Sequence, residues 1–275
     1  MESTNTQRKS VYVGIDVAFA KKKRLPICVC EIDQQVVKPL PLRKGFTPPP
    51  AGFGNRAALN PTIRLQFADA VAKWLLQLQA ELNLTILRVA IDAPSTFCSP
   101  DLTRRLSERA LDAAGISCFA TPTERRFEEK IRTSQAHLDG NGLESTLPNA
   151  NQLWMLVGFE LFKALREHGF ECIETYPQAV VRMLKCVGGH KSSGDGYASQ
   201  LSALGSATGH GAPKELIQAL DSAGYGSRHD KLDAFLSAWV ATLLPSERHV
   251  YGTLPDDAIV VPALDTTTIT HGASA

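Results

Sequence analysis

Residues 10–18, SVYVGIDVA, set the strongest constraint on the fold. Val11, Val13, Ile15 and Val17 alternate with Tyr12, Gly14, Asp16 and Ala18, the period of two of a β-strand, and β-branched side chains dominate the first row. A strand with so apolar a row belongs inside a sheet, yet it delivers a carboxylate at its end. A buried carboxylate is costly unless donors or a cation meet it. Asp16 therefore either caps the strand by binding a loop amide or ligates a metal ion.

Downstream, KKKR (Lys21 to Arg24) occupies the turn before two extended runs, LPICVCEID and QVVKPLPL, joined at Asp33-Gln34-Gln35. Together with the first strand they predict a three-strand meander. Lys22 and Lys23 touch a phosphate backbone, serve in a targeting patch or are merely solvated. Residues 44–61, with four prolines and three glycines, read as a loop near the sheet edge. From Gln66 to Leu82, Phe67, Val71, Trp74, Leu75, Leu78 and Leu82 fall at helical spacing.

ILRVAI, residues 86–91, has the continuous apolar run of a buried parallel strand and ends at Asp92-Ala93-Pro94, a second acid at a strand end. Ser99-Pro100-Asp101 predicts the start of a helix that Gly115 closes. ISCFA, residues 116–120, then reads as a strand, and TPTERRFEEKIR as a charged amphipathic segment. Its Arg125 and Arg126 either steer a polyanion or form surface ion pairs.

A long polar loop is expected over 135–148, a helix over 151–168 and a short strand, FECIE, ending in Glu174. Residues 188–213, rich in glycine and serine and carrying Lys191, predict loops around one short helix near 197–204. DKLDAFLSAWVATLL, from Asp230, reads as a strongly apolar helix that Asp230 caps, with Asp233 one turn further along. AIVV, residues 258–261, is a last strand.

Composition adds bounds. A chain of 275 residues that is 44% hydrophobic can bury a sizeable core, and a net charge of +1 supplies no global field, so any nucleic-acid surface must be local. Six cysteines without CxxC pairs read as reduced thiols. No signal-like or membrane-length apolar run is present, which makes a cytoplasmic protein without membrane contact the expectation. The domain expectation is one unit over 11–262 with inserted loops near 44–61 and 188–213, between tails at 1–10 and 263–275.

The order of elements, a meander, a helix, then strands alternating with helices, predicts an α/β fold of RNase H-like type: a mixed sheet with helices on both faces. Neighbouring first and fourth strands bring Asp16 beside Asp92, and a crossing helix adds Asp230 and Asp233. Convergent carboxylates with oxygen-only ligands select Mg²⁺ or Mn²⁺.

GIDVA, IDAP, GFECIETYPQAV, HKSSGDGYASQLSAL and RHDKLDAFLSAWVA, in this order, resemble the domain-of-unknown-function 429 (DUF429) family of predicted RNase H-fold nucleases. The resemblance implies an acidic, metal-holding and catalytic set at Asp16, Asp92, Glu174, Asp230 and Asp233, with Lys191 at a basic loop position. It implies a metal-dependent nuclease acting on DNA or RNA, and, because the global charge supplies little, Lys191, Arg125, Arg126, Lys22 and Lys23 are the local groups expected to grip the nucleic acid. A non-catalytic binding module of the same fold, or an actin-like ATPase or kinase, are the alternatives. The last wants glycines after the first strand's acid, where Val17-Ala18-Phe19-Ala20 stands instead.

Overall fold

The computed structural model describes residues 8–186 and 193–263. The meander forms as expected: β1 (Lys9–Asp16), β2 (Ile27–Asp33) and β3 (Val36–Pro39) pair antiparallel in sequence, with the basic run in the β1–β2 turn. Two single-turn helices follow in the proline-rich stretch, α1 (Leu42–Gly45) and α2 (Asn55–Ala58), and then the long α3 (Pro61–Glu81). Asn60 caps α3 by accepting from the Thr62 and Ile63 amides, and Pro61 opens it.

β4 (Leu84–Asp92) returns parallel to β1, and α4 (Leu106–Ala113), α5 (Glu124–Asp139) and α6 (Leu153–Glu167) precede β5 (Cys172–Glu174), which pairs parallel to β4. The C-terminal half adds α7 (Pro177–Met183), α8 (Gly194–Ala207), α9 (Pro213–Ala223) and α10 (Arg228–Thr242). It closes with a separate hairpin of β6 (Arg248–Thr253) and β7 (Asp257–Pro262). The main sheet is mixed, five strands in the order β3-β2-β1-β4-β5, in which β2 runs against the other four.

Alternation along the strands separates two cores. Val11, Val13 and Ile15 of β1, with Val89 and Ile91 of β4, pack under α3 and α6. Cys28, Cys30 and Val37 face the opposite way, against α9 and α10. Helices thus cover both faces of the sheet. All six cysteines are unpaired thiols. No helix among the described residues is long and apolar enough to cross a membrane.

Several boundaries differ from the sequence expectation. Residues 116–120 form no strand, although they are apolar enough for one. α4 starts at Leu106, not at Ser99, because Arg105 and Asp257 organise its first turn. α5 continues through 135–139, where a loop was expected, because Phe127 and Ser134 anchor it to the core. The glycine-rich region holds α8 at fourteen residues, capped by Ser193, and α9 begins at its last residue, Pro213. β6 has no counterpart in the sequence reading, and β7 extends one residue past each end of AIVV. Tertiary packing outweighs local propensity in each case.

Candidate metal centre

Asp16 and Asp92 are the last residues of β1 and β4 and face each other across the parallel ladder. Period-two alternation puts them on the same side as Gly14 and Ala90, the side on which α10 crosses the strands. That crossing is close. A Cβ on Gly14 would lie 2.0 Å from the Ala234 carbonyl oxygen and 2.1 Å from the Ala238 nitrogen, so only glycine allows α10 to rest backbone-to-backbone on β1.

Asp233, immediately before Ala234, is thereby placed over the strand ends. One carboxylate oxygen each from Asp16, Asp92 and Asp233 lies within 4.8 Å of the other two. Asp233 is buried, while Asp16 and Asp92 are half-buried. Gly158 of α6 makes a second close approach. A Cβ there would come within 2.5 Å of the Ala93 methyl, so the turn after Asp92 sits directly on the helix.

Glu174 ends β5 beside β4, but its carboxylate is engaged elsewhere. It accepts from both terminal nitrogens of Arg105, at 2.9 and 2.7 Å, and from the Ser95 amide at 2.8 Å. Both partners of this ion pair are buried. Burial alone would lower the Arg105 guanidinium's pKa, but the Glu174, Asp257 and Glu108 carboxylates reverse this and hold it above its ordinary value. Glu174 therefore fixes the 92–95 turn from behind and stands outside the three-carboxylate group.

Asp230 also stands apart from the group. At the third position of α10 it accepts from the Ser227 amide at 2.7 Å while the Ser227 hydroxyl accepts from the Asp230 amide. This is a reciprocal capping box, with Ser227 as the N-cap in place of Asp230. Lys191 lies outside the described residues.

Tyr176, two residues past β5, borders the acids. Its hydroxyl donates to the Ser117 carbonyl at 3.0 Å. Burial, reinforced by the fields of Asp92, Cys118 and Asp233, pushes its pKa up to about 12, so it remains a neutral phenol at physiological pH.

Lys22 and Lys23 are exposed in the turn that leaves Asp16, with Lys22 in the left-handed region at φ 63°. Arg125, at the start of α5, is exposed and pairs with Glu129 at 3.7 Å. Arg126 lines two surface clefts beside it. Sequence reasoning missed Arg105, Gly14 and Gly158. The signal for the two glycines was present as small residues inside otherwise bulky elements.

A family model described as "Protein of unknown function (DUF429)" matches residues 54–258, three quarters of the chain. The chain belongs to the DUF429 family. The DUF429 match covers Asp92 and Asp233 and begins after β1, so Asp16 lies upstream of it. No curated protein and no solved structure matches the chain.

Proposed function

We infer that this DUF429 chain is a divalent-cation-dependent hydrolase of phosphodiester bonds in DNA or RNA, built on an RNase H-like fold. The observation that carries this is the convergence of Asp16, Asp92 and Asp233 from two parallel strand ends and a crossing helix. Support for the fold assignment comes from the antiparallel meander continued by parallel strands, with helices on both faces.

The donor set suits a hard cation. Three carboxylate oxygens within 4.8 Å match Mg²⁺ or Mn²⁺, and among the described residues no thiol or imidazole belongs to the group. Such a cation, when bound, activates water and stabilises the leaving oxygen of an in-line displacement. Asp16, Asp92 and Asp233 would hold it.

The remaining residues position and exclude. Glu174, through the Ser95 amide, holds the turn that aims Asp92, and Arg105 fixes Glu174 in turn. Tyr176 keeps its proton on the Ser117 carbonyl and presents an apolar ring beside the acids. Lys22, Lys23, Arg125 and Arg126 supply the local positive charge for the strand, because the net charge of +1 supplies none.

Calorimetric titration with Mn²⁺, on wild type and Asp16→Asn, together with cleavage of labelled single-stranded, duplex and hybrid substrates, tests this. The expected outcome is Mn²⁺ binding weakened at least about tenfold in the variant, with cleavage lost in parallel. Absence of Mn²⁺ binding and of cleavage in the wild type would assign the carboxylates to structure and favour a non-catalytic binding module.

A further inference from the structure

A pocket opens directly beside the carboxylates. It is a cavity of about 60 Å³ that opens to solvent between the 92–94 turn, the 118–121 segment, the start of α6 and residues 174–176. Asp92 belongs both to its lining and to the three-carboxylate group, so the two features are continuous. Its walls are apolar and aromatic: Phe119, Trp154, Tyr176, Met155, Pro94 and Ile259.

The polar groups among its lining already have partners. Arg105 holds Glu174 through two bonds, and Glu108 accepts from the Thr121 and Arg105 amides. The Trp154 indole N–H goes to the Asn151 carbonyl, and the Tyr176 hydroxyl goes to that of Ser117. What remains is surface for a flat apolar face. Phe119 stands 56% exposed in a segment without regular structure. An aromatic ring this exposed at the edge of an apolar pocket is a stacking surface seeking a partner.

We propose that this pocket receives one nucleobase of the substrate strand, the base adjoining the phosphate held at the carboxylates, swung out of its stack. The inference rests on the phosphodiester reading and adds a substrate class to it: single-stranded or unpaired nucleic acid, with little discrimination among bases. Every base offers a π-face to aromatic walls, whereas discrimination needs free donors and acceptors aimed at base edges. A continuous duplex would have to unpair a base to present it, which slows cutting.

The test uses the full chain and single-stranded oligonucleotides carrying 2-aminopurine or an abasic residue, moved one position at a time. Binding is read in Ca²⁺ by 2-aminopurine emission, and cleavage in Mn²⁺. Phe119→Ala is the variant, since an exposed side chain can be removed without opening the core, and Phe119→Trp is the rescue.

Emission is expected to change at one position near the scissile phosphate. An abasic residue there should lower kcat/KM about tenfold, and Phe119→Ala should lower it about tenfold on the intact strand but little further on the abasic one. Phe119→Trp should restore the intact-strand rate. Normal cleavage with emission alike at every position, or with the two losses multiplying, would overturn the base pocket and leave the phosphodiester reading standing. A position-specific emission change without cleavage would keep the pocket and overturn hydrolysis. Neither binding nor cleavage would overturn both.

Discussion

Asp257, the first residue of β7, reaches the start of α4, where it accepts from the Leu106 amide at 2.7 Å and the Ser107 amide at 3.0 Å. The Ser107 hydroxyl adds a third bond at 2.6 Å. Burial alone would raise its pKa, but these donors and Arg105 overcome that and hold it below the ordinary carboxylate range. Because the folded value lies below the unfolded one of about 3.9, the contribution to stability is complete above that pH and fades as pH falls through the folded value. Asp257→Asn is expected to cost about 1–2 kcal/mol at pH 7, and the difference from wild type should shrink below about pH 4 in urea titrations.

The Arg105–Glu174 pair gives a larger effect. Arg105→Ala leaves the Glu174 carboxylate buried without its cation, an expected loss of about 3–5 kcal/mol by chemical denaturation. The Arg105→Met, Glu174→Leu double variant should recover part of it, because it removes both buried charges. This pair also explains why one acid of the expected set lies elsewhere. A carboxylate at a strand end looks the same in sequence whether a metal or an arginine sixty-nine positions earlier satisfies it. Asp230 poses the same ambiguity one turn before Asp233, and Ser227 resolves it by joining Asp230 in a capping box. The three acids that do converge were legible only as members of the wider set, since each ends or enters an apolar element just as Glu174 and Asp230 do.

Among the elements, α10 matters most. It lies against β1, β2 and β4, and almost every residue from Leu232 to Thr242 is buried, a pattern the run LDAFLSAWVATLL made plain. Its seat on β1 depends on Gly14, which the alternation of the strand recorded only as one small residue in the second row. Gly14→Ala is expected to lower stability by about 2–3 kcal/mol or more, since the clashing atoms are backbone and the helix itself must shift. Displacing α10 also carries Asp233 away from Asp16, so Mn²⁺ affinity should fall together with melting temperature. A melting temperature equal to wild type would show that the helix has room that the structure denies it.

Other elements were less legible. α9, with Leu216 and Leu220 facing the second core, hides behind a glycine-rich approach, and among the described residues β6 pairs only with β7. The segment 116–120 carries strand-like residues that instead border the pocket, with Phe119 exposed.

At the scale of the molecule, the meander follows from alternation, the parallel return of β4 from its continuous apolar run, and the two-sided cover of helices from the order of elements. The spacing of acids along the chain does not disclose which of them share a point in space. Charge is also distributed sparingly. If Lys22, Lys23, Arg125 and Arg126 are the groups that meet phosphates, binding to single-stranded nucleic acid should weaken with salt at a slope of about −3 in log K against log concentration. A slope near zero would move the contact surface away from these four side chains.

The three clustered carboxylates come from the first strand, the fourth strand and the helix α10, at positions 16, 92 and 233. During synthesis the third of them emerges long after the first two. A nascent chain that has not yet exposed α10 therefore carries an incomplete cation cage, and the proposed cutting activity would be withheld until that helix has docked onto Gly14.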